Sequence, residues 1–133
     1  MAQSPLQKKL RIQPSQRLVI LNPPPGYVES LHPLPEGAQV VAETAREVDF
    51  CHLFAQNSAQ LAELLPIAMH AIQYDGLLWV SYPKKNSKVP SDLSRDALWE
   101  LPGEPGLRPV TQISIDETWS ALRYRPGGQV GKR

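Results

Sequence analysis

Residues 48–83, "VDFCHLFAQNSAQLAELLPIAMHAIQYDGLLWVSYP", decide the fold, because their hydrophobic period changes twice. "VDFCHLFA" is short and apolar almost throughout, which predicts a strand over 48–55. From Ser58 the pattern changes. Leu61, Leu64, Leu65, Ala68, Met69 and Ile72 recur at intervals of three and four, which puts them on one face of a helix over 58–72. Ser58 is placed to cap it. Pro66 cannot donate to the preceding turn, so the helix is expected to kink there, or to break with Pro66 opening a second short helix. "YDG" then reads as a turn, and the apolar run after it as a strand over 77–82.

The flanks extend the same alternation. "RLVILN", 17–22, is a β-branched and leucine run ended by prolines, hence a strand. "GYVESLHPL" has room for one or two helical turns before Pro33 and Pro35, and "AQVVAE", 38–43, reads as a further strand. Ser91 or Asp92 is positioned to cap a helix running to about Leu101, with Leu93, Ala97, Leu98 and Leu101 inward. "LRPVTQISI", 107–115, and "TWSALRYR", 118–125, read as two strands joined at Asp116-Glu117 in a hairpin. Residues 127–133, "GGQVGKR", read as a flexible tail to a single domain over 1–126.

Strands alternating with helices, then a hairpin, predict an α/β chain. The expected fold is a single Rossmann-like three-layer domain, its sheet mostly parallel with a C-terminal antiparallel hairpin. Right-handed crossovers bring "NPPPG", 22–26, and "YPKK", 82–85, to the carboxyl ends of the parallel strands. Ligands of open α/β sheets bind at that edge, where the strand order reverses.

Bulk properties narrow the function. The 133 residues suit one core, and 41% hydrophobic against 20% charged is a globular balance. A net charge of +1 gives no global attraction to nucleic acid or to an acidic membrane, so neither is expected as a partner. Cys51, the single cysteine, rules out an intramolecular disulfide and a multi-thiolate zinc site. With no apolar run of signal-peptide or membrane-spanning length, the expected location is the cytoplasm. The fourteen prolines punctuate the chain between apolar runs and form no tract.

Three segments together resemble a known fold: "LRIQPSQRLVILNPPPGY", "DFCHLFAQNSAQLAELLPIAMHAIQYDGLLWVSYPK" and "ISIDETWSALRYRP". Over residues 10–126 they look like a shortened Rossmann-like fold of the S-adenosylmethionine-dependent methyltransferases. A small bacterial domain family of unknown function is more similar still. Its marks match Trp79 with Pro83, Lys84 and Lys85; Asp92, Leu93, Arg95 and Asp96; and Ile115, Asp116, Trp119, Ser120 and Leu122. The resemblance implies a fold and no activity of its own. The methyltransferase likeness implies S-adenosylmethionine as cofactor and, for Glu43 near the end of the second strand, a ribose contact. Yet the loop after the first strand is Asn22-Pro23-Pro24-Pro25-Gly26, where methyltransferases carry several glycines. Three prolines remove three N–H donors and fix φ. No cofactor is therefore expected in the usual pose.

The candidate residues fall into groups. Lys84, Lys85, Ser87, Lys88, Ser91, Asp92 and Arg95 lie on the loop that enters the expected helix, where lysines, free N–H groups and the helix dipole favour an anion. The plainer reading is a solvated loop with an Asp92–Arg95 surface pair. Asn22 and Gly26 are expected to face this loop across the carboxyl edge. Asp116, Glu117, Trp119 and Ser120 are read first as turn and packing residues and second as a polar site. His32, His52 and His70 have no ligand spacing, and Cys51 has no activating neighbour, so neither a metal site nor a thiol nucleophile is expected. The expected function is a non-catalytic binding module for an anionic small molecule or a protein partner. The alternatives are a divergent methyltransferase and a scaffold or oligomerisation subunit using the hairpin edge.

Overall fold

A computed structural model of the chain describes residues 5–104 and 106–129. Its sheet has six strands: β1 (Arg17–Leu21), β2 (Gln39–Val40), β3 (Val48–Phe54), β4 (Ile72–Pro83), β5 (Leu107–Ser114) and β6 (Trp119–Pro126). Their spatial order is β2-β1-β3-β4-β6-β5. The first four are mutually parallel, and β6 runs antiparallel between β4 and β5. The chain steps from β1 outward to β2, then returns to β3 on the other side of β1. The strand order therefore reverses between the carboxyl ends of β1 and β3.

Both faces of the sheet are covered. On β3, Cys51 and Leu53 face α3 (Ser58–Ala71), while Phe50 and Phe54 face the opposite layer. That second layer holds α1 (Pro5–Leu10) and the single turn α2 (Tyr27–Ser30). The period-2 alternation of each central strand thus feeds two cores, which is why "VDFCHLF" is apolar throughout.

The helix over the decisive stretch runs unbroken from Ser58 to Ala71, contrary to the break considered at Pro66. Pro66 is exposed, and so is Ala62, whose carbonyl loses its donor to the proline ring on the solvent side of the helix. The predicted "YDG" turn lies inside β4. Val48 pairs with Ile72 and Phe50 with Leu77, so β4 carries a bulge there. Asp75 adopts φ 57°, and a Cβ on Gly76 would stand 2.8 Å from the Ile72 side chain. A larger residue there would force Ile72 to shift.

Two elements differ from expectation. No helix forms over 92–101; the segment makes turns, with one Leu98 N–H to Ser94 C=O bond of 3.0 Å. Its leucines 93, 98 and 101 are nonetheless buried against the α3-side core, and Tyr124 Oη donates to Leu98 C=O at 2.5 Å. Its expected cap, Asp92, is bonded to Ser58 instead, and burial of its leucines fixes the segment in another shape. β2 shrinks to two residues from the six expected. The unforeseen α1 has a legible signature: Pro5 at its first position, Leu6 and Leu10 four apart, Lys8 and Lys9 in its last turn. Of the expected tail, Gly127–Gln129 form one 3-10 turn, with Gly127 N–H bonded to Gly106 C=O at 2.7 Å. Residues 130–133 lie outside the described residues.

One buried polar chain crosses the α1-side core. Tyr27 Oη lies 2.6 Å from His52 Nδ1, and His52 Nε2 lies 2.5 Å from Ser81 Oγ. His52 also stacks on Phe54 at 4.2 Å. Burial alone pushes the imidazole pKa down to about 3 from 6.5. The unfolded chain therefore binds a proton here that the folded chain refuses. Stability from this site is whole above pH 6.5 and falls as pH drops from there toward 3, by at most ~1.4 kcal/mol per pH unit. Urea midpoints at successive pH values check this, alongside His52 ring resonances that stay flat between pH 8 and 5. Tyr27→Phe leaves Nδ1 unpaired and is expected to cost about 1–3 kcal/mol.

Candidate functional site

The carboxyl edge of the sheet divides into two halves with opposite characters. The first is the reversal point between β1 and β3. Asn22 takes the left-handed conformation at φ 54°, which asparagine tolerates well. Its Nδ2 donates across the gap to Phe54 C=O at 2.9 Å and reaches Gln60 Oε1 at 3.4 Å. Gly26 has φ 86°, and a Cβ built there would meet nothing within 4 Å. The glycine thus answers to backbone conformation rather than to a close approach. Beneath the loop, Tyr27 and Trp119 pack edge-to-face on Phe54 at 4.7 and 5.3 Å.

The N-terminus of α3 opens at the same point, and the N–H groups of Ser58, Gln60 and Leu61 are already taken. Asn57 Oδ1 accepts from Gln60 N at 2.9 Å. Ser58 N and Oγ donate to the two oxygens of Asp92 at 2.8 and 2.5 Å. Asp92 therefore caps α3 from 34 residues away and starts no helix of its own. Side-chain and then backbone bonds from Ser58 hold its carboxyl below the usual Asp range.

The second half is open. A cleft of about 1030 Å³ lies beyond the end of β4, lined by Tyr82–Lys85, Ser87–Asp96, Gln112 and Ser120. Lys84 is held twice: its N–H donates to Thr118 C=O at 2.7 Å and its Nζ to Ser114 Oγ at 2.6 Å. Lys85, Lys88 and Arg95 are exposed. The lining carries four cations against Asp92 and Asp96, and Asp92 is engaged by Ser58. Gln112 Nε2 donates to Tyr82 Oη at 3.2 Å, fixing the hydroxyl at the wall.

The sequence-predicted residues separate accordingly. Lys84, Lys85, Ser87, Lys88, Ser91, Asp92 and Arg95 line one cleft, joined by Ser120. Asn22 and Gly26 are not among its lining, which corrects the expectation that the two loops share a site. The anticipated helix N-terminus beneath the lysines is absent, and so is the Asp92–Arg95 pair, because the carboxylate goes to Ser58. Glu43 lies on an exposed turn three residues past β2. Asp116 Oδ1 accepts from both Thr118 N and Trp119 N at 2.8 Å, so it builds the hairpin turn. Tyr82 and Gln112 were missed; the alternation of β4 and β5 was the available signal.

No family model matches the sequence, and no curated protein matches it significantly. Solved structures match by fold. A SAM-dependent methyltransferase from Aquifex aeolicus superposes with a TM-score of 0.61 at 12% identity, over 90% of this chain and 86% of that one. A possible exported protein from Bordetella parapertussis gives 0.61 at 12%, over 91% and 65%. TrmN from Thermus thermophilus gives 0.54 at 12%, over 90% and only 46%. The chain has a methyltransferase-like α/β fold, similar in path and unrelated at the level of identity.

Asp92→Asn removes the charge that caps α3 and is expected to lower the melting temperature at pH 7. Because the folded pKa of Asp92 is depressed, that difference is present above the ordinary Asp pKa and shrinks as pH falls below it. Ser58→Ala is expected to produce a similar loss, and the double variant less than the sum.

Proposed function

We propose that this chain is a non-catalytic, methyltransferase-like binding module that takes an anionic ligand in the cleft of residues 82–96. The single observation that carries this reading is the division of the carboxyl edge. At the reversal point Asn22 is bonded to Phe54, the α3 N-terminus is capped by Asp92, and the loop offers prolines. These residues do not fit S-adenosylmethionine in its usual pose, which needs backbone N–H groups and closely approaching glycines. The neighbouring cleft is open and basic, with Lys84 positioned by two bonds and hydroxyls of Tyr82, Ser87 and Ser120 in its wall. The motifs resembling the small bacterial family fall largely on this same cleft: Pro83, Lys84, Lys85, Asp92, Arg95, Asp96 and Ser120 all line it. An acidic segment of a protein partner would satisfy the same cations.

Thermal shift tests the reading directly, since a ligand stabilises by its affinity for the folded state. At about 100 times Kd, stabilisation is roughly 2.7 kcal/mol, several degrees for a domain of this size. Phosphate or nucleotide is expected to raise Tm in the wild type and to do so markedly less in Lys84→Ala/Lys85→Ala. A shift with S-adenosylmethionine and none with phosphate or nucleotide would favour the divergent methyltransferase and reject the module.

A further inference from the structure

Arg123 sits in mid-strand on β6, opposite Trp79 of β4 and Thr111 of β5. It is 8% exposed, yet its Nε has no hydrogen-bond partner. Among the described residues it is the one buried side-chain polar atom left in that condition. Buried charges are normally paired and hydrogen-bonded, since an isolated one gives up its hydration without return.

The surroundings deepen the imbalance. Strand alternation places Arg125 on the same face as Arg123, away from Ser120, Leu122 and Tyr124. Arg125 holds Asp75 through both carboxylate oxygens, at 2.9 and 2.8 Å, so that carboxylate is committed to its neighbour. Arg11 follows α1 directly, and Trp79 Nε1 donates to Leu10 C=O at 3.1 Å, which brings Arg11 to the Trp79–Arg123 pair. Desolvation first, then repulsion from Arg11 and Arg125, pushes the Arg123 pKa down, with only Asp75 opposing.

We propose that Arg123, flanked by Arg125 and Arg11, forms a second anion site on the α1 side of the sheet, for a small phosphate- or carboxylate-bearing molecule. Two oxygens of one oxyanion accept from Nε and the adjacent amino group of a guanidinium in parallel, supplying the missing partner of Nε. The site faces away from Ser120 of the cleft, so it is independent of the anion site proposed there.

The test uses the full chain in the Lys84→Ala/Lys85→Ala background, which weakens the cleft. Inorganic phosphate and acetate are titrated separately against chloride at matched ionic strength. The expected result is a saturable rise in Tm of a few degrees with at least one of them, lost on adding Arg123→Met; which oxyanion works identifies the group. Arg123→Met in chloride is expected to melt no lower than its parent, because a guanidinium with an unsatisfied buried Nε has been replaced by an apolar chain. Should Arg123→Met fail to fold, the Arg123 Nε–H resonance of the parent is followed instead, and it must move with the same saturation curve. Absence of a saturable shift with either oxyanion, a shift unaltered in Arg123→Met, or an unmoved Nε–H resonance overturns the proposal.

Discussion

The bond between Asp92 and the first turn of α3 sets the position of everything from Lys84 to Leu101. That segment has no strand and no helix to hold it. It is fixed at one end by Lys84, bonded to the hairpin, and further along by Leu93, Leu98 and Leu101, buried against the sheet. Between them only Asp92 reaches a helix, through Ser58. The contact acts twice. It satisfies donors that α3 leaves open, and it ties to that helix a loop that lines the cleft. A helix N-terminus suited to a ligand anion receives a carboxylate of the same chain instead.

The filling of the reversal point follows from the same economy on the other face. Tyr27, His52 and Phe54 converge beneath the proline loop, and the Tyr27–His52–Ser81 chain satisfies the imidazole on both nitrogens. His52 is thus a neutral core residue whose orientation is fixed by two hydroxyls. Nothing in this arrangement gives Ser81 access to a substrate: it is 0% exposed, as is His52. The serine, histidine and tyrosine lie in hydrogen-bonded sequence, yet burial makes them a structural device rather than a nucleophile and its base.

Much of the fold was legible because the central elements have one hydrophobic period each. β1, β3, α3 and the hairpin lie within a residue or two of expectation, since tertiary packing agrees with the local pattern. The failures share a cause. "DLSRDALWEL" has a helical pattern and a cap, but its cap residue is claimed by Ser58 and its leucines by the sheet. Long-range bonds of this kind leave no trace in local spacing. The same applies to the site. The basic cluster was legible as a run of lysines beside Arg95, whereas Tyr82 and Gln112 joined it only when β4 and β5 came together around β6.

The short connection from β2 to β3 shapes the carboxyl edge of the sheet. After Val40 the chain returns to β3 within seven residues, 41–47, with neither helix nor further strand. β2 consequently becomes the sheet margin and is only two residues long, paired to Arg17 and Leu18 alone. A loop that short cannot carry Glu43 back over the carboxyl end of β1, where an open α/β sheet would use it against a ribose. With that wall missing, enclosure on the β1–β2 side is weak. On the far side, β6 and β5 extend the sheet beyond β4, and the 84–101 segment folds back on them through Tyr124 and Leu98. The cleft of residues 82–96 lies at that end, and so do the exposed Lys85 and Lys88.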